Sequence, residues 1–179
     1  MHRLFVALRP PADIRAELTA IMSDVHGARW QDDDQLHLTI LFIGDVDRHQ
    51  ANDIADALRQ IRFSPISISL AGLGQFERRG RIDSLWIGAG PRQPLLHLHH
   101  KIDRACMSAG LAAEDRAYLP HVTLARFGRD AGSVETFLSR HAGFQSPPFD
   151  LDYFALFESH LGHTGATYHL IERYDASTV

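Results

Sequence analysis

Residues 36–46 read LHLTILFIGDV and residues 119–128 read LPHVTLARFG. Each stretch carries a His-x-Thr triplet, His37-Leu38-Thr39 and His121-Val122-Thr123, in an apolar run closed by a glycine. Apolar runs of this length bounded by glycine are strand signals. In a strand, side chains at i and i+2 share a face. Each His therefore lies on the same face as its Thr, while Leu38 with Ile40, and Val122 with Leu124, point to the opposite, apolar face. Twelve His and seven Thr in 179 residues give about 0.5 such triplets by chance. A single triplet reads most simply as a hydrogen-bonded histidine on a half-exposed strand. Two triplets in matched apolar settings, 84 positions apart, favour a shared site.

Outward from these stretches the chain alternates short strands and amphipathic helices. Arg3 to Arg9 reads as a strand ended by Pro10 and Pro11. Ile14, Leu18, Ile21 and Val25 then predict a helix over 11–26. Ile54, Leu58 and Ile61 predict a second helix over 48–61. Leu95, Leu98, Ile102, Cys106 and Ala109 predict a third over 93–109, ended by Gly110. Strands are expected at 66–70, 85–87, 121–127, 149–158 and 166–173, with a short helix at 131–141. The stretch GLGQFERRGRIDS between the strands at 66–70 and 85–87 is a hairpin or loop. Without regular βαβ alternation the pattern is α+β with largely antiparallel sheet. The order strand–helix–strand(HLTI) is echoed by strand–helix–strand(HVTL), as two similar lobes would produce. No linker divides residues 1–179, which are expected to form a single two-lobed domain.

Composition narrows the function. Eighteen basic against twenty-two acidic residues give a formal charge of −4, which argues against broad electrostatic binding to a nucleic-acid duplex. Recognition of one RNA end is compatible with it. The single cysteine, Cys106, can form neither an intrachain disulfide nor a cysteine-rich zinc site. The five-residue apolar run Leu4–Leu8 is too short for a signal-peptide core or a membrane span. The chain is expected to be cytoplasmic, monomeric and not bound to membrane.

Two histidines and two threonines on one surface suit cleavage of a cyclic phosphodiester. The reaction needs a base for the attacking water and an acid for the departing oxygen, and imidazole can play either part near neutrality. Threonine hydroxyls can donate to non-bridging phosphate oxygens as charge develops there. No metal or other cofactor is required.

The sequence resembles the two-histidine phosphoesterases, and among them the RNA 2′,3′-cyclic phosphodiesterases, also called 2′-5′ RNA ligases. The likeness runs through Arg3-Leu-Phe-Val-Ala7, LHLTILFIGDV, Leu85-Trp-Ile-Gly88, LPHVTLARFG, Leu156-Phe-Glu-Ser159 and Gly165-Ala-Thr-Tyr168. It implies a bilobal α+β fold, two pseudo-symmetric lobes of largely antiparallel sheet with flanking helices around a central cleft. It also implies that His37 donates a proton to the leaving oxygen, that His121 activates water, and that the product is a 2′-phosphomonoester. The expected ligand is an RNA 3′ end bearing a 2′,3′-cyclic phosphate, or a related cyclic nucleotide. Arg126 matches the arginine of the family's second motif, a bidentate phosphate donor. Five residues after His121, strict alternation puts it on the wrong face, so reaching the cleft requires a bulge or the strand's end. A structural ion pair is the other reading.

Three further clusters are read as surface features. His97, His99 and His100 lack the i, i+4 spacing of a helical metal pair and are expected on a solvated helix face. Asp32 to Asp34 read as a solvated loop, and Arg78, Arg79 and Arg81 as an exposed hairpin tip within reach of flanking RNA phosphates. His160, His163 and His169 flank a turn, with His160 or His163 placed to approach the cleft. Competing functions are a 2′-5′ ligase running the same acid–base chemistry backwards, a cyclic nucleotide phosphodiesterase, and a non-catalytic RNA-end-binding module.

Overall fold

β1 (His2–Leu8) is buried from Leu4 onward: β3 (Leu38–Val46) and β8 (Tyr153–Gly162) pair with its two edges, while Leu4, Val6 and Leu8 on one face and Phe5 and Ala7 on the other pack into separate apolar clusters. The computed structural model that establishes this describes residues 1–113, 117–162 and 165–177. Pro10 and Pro11 end β1, and α1 (Ala12–Ile21) follows with Ile14 and Leu18 buried. The helix stops five residues short of the sequence expectation. Asp24 and Gly27 take left-handed backbone angles (φ 59° and 75°), which a helix cannot continue through. Val25 still packs on the core, from a turn. A three-residue strand, β2 (Ala28–Trp30), was not expected, since it is too short to show a period; it pairs with the end of β6 (His121–Phe127).

The remaining elements are α2 (Arg48–Arg59), β4 (Ile66–Arg78), β5 (Arg81–Gly90), α3 (Arg92–Ser108), α4 (Glu135–Arg140), β7 (Phe149–Leu151) and β9 (Gly165–Asp175). Asp47 caps α2 by accepting the Gln50 amide, as a helix start asks. Gly110 closes α3 in a left-handed conformation (φ 89°). The GLGQFERRGRIDS stretch is one long hairpin, β4 running into β5 through Arg79-Gly80.

All strand pairs are antiparallel, in the order β7-β4-β5-β6-β3-β1-β8-β9, with β2 beside β6. The two chain halves exchange strands. The β4–β5 hairpin leaves the first half to pair with β6 and β7, and the β8–β9 hairpin leaves the second to pair with β1. β6 and β3 meet at a single residue pair, Leu38 with Val122, so two half-sheets join along a narrow seam. Both residues are fully buried, each stabilising the seam by roughly 1.5–3 kcal/mol.

One sheet face carries the main core, including Leu4, Val6, Leu38, Ile40, Val122 and Leu124, packed with Leu95, Leu98 and Ile102 of α3. Among the described residues, the opposite face holds a smaller buried cluster of Phe5, Ala7, Ala155 and Phe157, flanked by Tyr168. That face is the floor of the cleft between the lobes.

Candidate active site

The seam fixes the site. With Leu38 opposite Val122, continuing the antiparallel register one residue each way sets His37 beside Thr123 and Thr39 beside His121. All four are half-buried, while Leu38, Ile40, Val122 and Leu124 between and after them are buried. The alternation read from the sequence is the alternation observed. His37 itself immediately precedes β3, where the chain leaves the 3-10 turn Asp33–Gln35.

Each strand bulges one residue after its threonine. Between β1 and β3, Val6 pairs with Leu41 and Ala7 with Thr39, leaving Ile40 extra. Between β5 and β6, Leu85 pairs with Ala125 and Trp86 with Thr123, leaving Leu124 extra. A bulge shifts the alternation by one. Leu124 and Ala125 are consequently both buried, and Arg126 turns outward on the face of His121. Its guanidinium is close enough to depress the basicity of both His37 and His121. The arginine that simple alternation places on the core face is exposed instead, within charge range of both histidines. It also reaches Asp83, Nη1 to Oδ2 3.8 Å.

Both imidazoles are oriented in the same way. His37 Nδ1 lies 2.6 Å from the Gln35 carbonyl oxygen, and His121 Nδ1 lies 2.6 Å from that of Leu119, in each case the residue two before. A carbonyl only accepts, so Nδ1 carries a proton and Nε2 is left for exchange with a substrate. Each ring is walled by two aromatic side chains. Phe5 and Tyr168 sit 5.1 and 4.9 Å from His37. Phe76 and Trp86 sit 5.1 and 5.9 Å from His121. Trp86 can take this position because Gly74 lies opposite it; a Cβ there would run into the indole ring.

This packing strips water from the rings and favours their neutral forms. Burial, then the charges of Arg126, His121 and Arg9, lower His37 to about 4 against the bond to Gln35. Burial, then Arg126, likewise lower His121. Both shifts favour the neutral imidazole in the presence of the Arg126 cation, a setting that an anion would complete. A cavity of about 630 Å³ opens on the His37 side, lined by Phe5, Phe157, Tyr168, Arg9 and Arg173 among others.

Behind the site, His99 departs from expectation. His97 and His100 are exposed, but His99 points inward, stacks on Tyr118 at 4.3 Å and lies with Nδ1 2.7 Å from the Ile40 carbonyl oxygen. Tyr118 donates to the Thr39 carbonyl at 3.1 Å. Two side chains therefore hold the backbone of β3 where it diverges from β6.

Of the other clusters, Asp32, Asp34 and His169 line the same cavity beside His37. Asp33 is gripped by Arg9 and Arg15, which hold its carboxyl below the usual carboxylate range. Glu158, and with it His160, occupies the face of β8 opposite Phe157. Glu158 bonds His2 at 2.8 Å and His160 at 3.4 Å, and His160 stacks edge-on with His169. His163 lies outside the described residues. Burial pushes the Cys106 thiol up to about 12, removing it as a nucleophile. Among the described residues no group of three or more His, Cys, Asp or Glu is arranged to hold a metal ion. No described helix is long and apolar enough to cross a membrane. Phe76, Gly74 and Tyr118 had no signal of their own in the sequence, and Phe5 and Tyr168, though within stretches that carry the family likeness, had none that tied them to the histidines, because each joins the site only through strand pairing or loop return.

The comparisons with known proteins agree with this geometry. The family model "LigT like Phosphoesterase" matches twice, over residues 8–86 and 87–168. The double match answers the strand–helix–strand echo. The RNA 2′,3′-cyclic phosphodiesterase of Thermotoga maritima is 25% identical, over 94% of this chain and 92% of its own. That of Thermus thermophilus is 30% identical, over 96% and 89%. The crystal structure of E. coli LigT complexed with 3′-AMP has a TM-score of 0.79 at 24% identity, covering 99% of both chains.

Proposed function

The chain belongs to the LigT-like phosphoesterases, and on that premise we propose that it hydrolyses RNA 2′,3′-cyclic phosphate ends to 2′-phosphomonoesters, without a metal, through His37 and His121. The observation that carries this reading is the matched pair of imidazoles either side of the Leu38–Val122 seam, each with Nδ1 on a backbone carbonyl and, among the described residues, no bond to Nε2. The names of the relatives support the same substrate class.

In the proposed reaction the phosphodiester lies between the two Nε2 atoms. His121 accepts a proton from water as its oxygen bonds to phosphorus. The bond from phosphorus to the ribose 3′ oxygen breaks, and His37 protonates that oxygen. Thr39, Thr123 and Arg126 donate to the non-bridging oxygens, where negative charge grows. The low proton affinity of His37 makes it a strong acid once charged, and the incoming phosphate supplies the anion that favours its charging. After each turnover His121 holds the proton and His37 lacks one, and exchange with water resets the pair. Donor and acceptor are assigned by family likeness. The enzyme is proposed to work as a monomeric, cytoplasmic domain of residues 1–179.

The test is incubation with a short RNA ending in a 2′,3′-cyclic phosphate, EDTA present, with separation of 2′- and 3′-monophosphates. A 2′-phosphate is expected. A 3′-phosphate would overturn the bond-cleavage assignment, and activity lost to EDTA would overturn the metal-free mechanism.

A further inference from the structure

The tip of the β4–β5 hairpin is built from Arg78-Arg79-Gly80-Arg81, and the fold alone disfavours this choice. Arg78 and Arg81 are a direct cross-strand pair, and like charges in that position repel. Arg79 adopts a left-handed conformation (φ 54°), where hairpin turns prefer Asn, Asp or Gly. Arg129, just past β6, faces the same groove of about 600 Å³, whose lining includes one carboxylate, Asp83. Asp83 pairs with Arg126, and the nearby Glu77 accepts instead from Gln75. Among the described residues none of these four arginines makes an ion pair. In a chain of net charge −4, this is a local concentration of uncompensated cations.

Its position relates it to the cleft. Phe76 is edge-on to His121 and 36% exposed. Arg78 is two residues further along the same strand, hence on the same face and roughly 7 Å beyond. An aromatic ring beside the reacting phosphate, followed by guanidinium groups, has the makings of a single-strand track. The ring can stack a base, and the arginines can hold successive phosphodiesters as planar donors.

We propose that the RNA strand on the 5′ side of the cyclic phosphate leaves the cleft across Phe76 and lays its next phosphodiesters in this groove, against Arg78, Arg81 and Arg129. The inference rests on the reading of the cleft as an RNA-end phosphodiesterase and adds that the enzyme selects an oligonucleotide over a mononucleotide. The groove reads backbone, not bases, so the preference is sequence-tolerant and weakens with salt.

The experiment compares kcat/KM for 2′,3′-cyclic AMP and for a short oligoribonucleotide ending in the same cyclic adenylate, over a salt series. The wild type is expected to favour the oligonucleotide by about tenfold or more at low salt, the gap closing as salt rises. The double variant Arg78→Gln/Arg81→Gln should lose most of that preference and keep its mononucleotide kcat/KM. An unchanged preference, or an equal loss on both substrates, overturns the proposal. Binding of a 3′-phosphorylated oligonucleotide, followed by fluorescence anisotropy, needs no turnover. Its logarithmic salt slope should shrink by about 1–2 in the variant. If neither substrate is cleaved yet this slope responds, the groove stands and the phosphodiesterase reading falls. If both substrates are cleaved equally and the slope is unaltered, the groove falls and the phosphodiesterase reading stands.

Discussion

Ile40 and Leu124 are each the extra residue of a β-bulge, and each follows a His-x-Thr triplet directly. The same irregularity, repeated in both lobes, shifts the alternation for the residue two further on. In one lobe that residue is Phe42, 47% exposed and beneath the Arg3 guanidinium; in the other it is Arg126. Near-symmetric backbones thus carry different side chains at the equivalent position, and phosphate binding should depend on Arg126 far more than on Phe42.

Arg126→Ala is therefore expected to lower kcat/KM by about 10²-fold, as the loss of one transition-state donor does. Phe42→Ala should change it by less than about threefold, since no developing charge is within its reach. Steady-state kinetics on a cyclic phosphate substrate decide this. An Arg126→Ala enzyme with wild-type kcat/KM would reduce the residue to its ion pair with Asp83.

The histidines themselves should separate binding from chemistry. His37→Ala and His121→Ala are each expected to reduce kcat by about 10³-fold, within the range for a general acid or base. Affinity for a 2′-phosphorylated oligonucleotide, measured calorimetrically, should change much less. Retained turnover in either variant would defeat the acid–base assignment.

The pH dependence follows from the sign of the shifts. The productive state holds one proton on the pair. Below the lower pKa both rings are charged, and above the higher one neither is. Because burial has pushed His37 down to about 4 and lowered His121 as well, kcat/KM should peak on the acid side of pH 6.5, the unperturbed histidine value of about 6.5. These are values of the coupled pair, read from the free enzyme. A bound phosphate stabilises both protonated rings, so the optimum of kcat should lie at higher pH than that of kcat/KM. A flat profile from pH 5 to about 8 would contradict a histidine pair.

Gly74 tests the aromatic wall. A methyl group there collides with the Trp86 indole. Gly74→Ala is expected to cost about 1–3 kcal/mol of stability, as overpacking does. It should also lower kcat by shifting the ring beside His121. Urea unfolding and kinetics on the same sample would measure both. A variant of full activity and stability would show that Trp86 does not position His121.

Much of the site was legible because a strand's period is local. The spacing of His37 with Thr39, and of His121 with Thr123, needs only alternation to put each pair on one face. Helix stripes such as Leu95, Leu98, Ile102 and Cys106 likewise follow from the geometry of their own element. The catalytic candidates, the α+β class and the two-lobed echo could therefore be read along the chain.

The rest depended on which strands became neighbours. Pairing Leu38 with Val122 brings together triplets 84 positions apart, and no local period encodes that distance. The bulge at Leu124, which aims Arg126, exists only against β5. Tyr168 reaches His37 because β9 returns beside β8, while His99 and Tyr118 find the backbone of β3 because α3 and the chain after it pack against that strand. Local periodicity set the face each residue shows, while long-range pairing, stabilised by burial of the seam, determined what stands across from it.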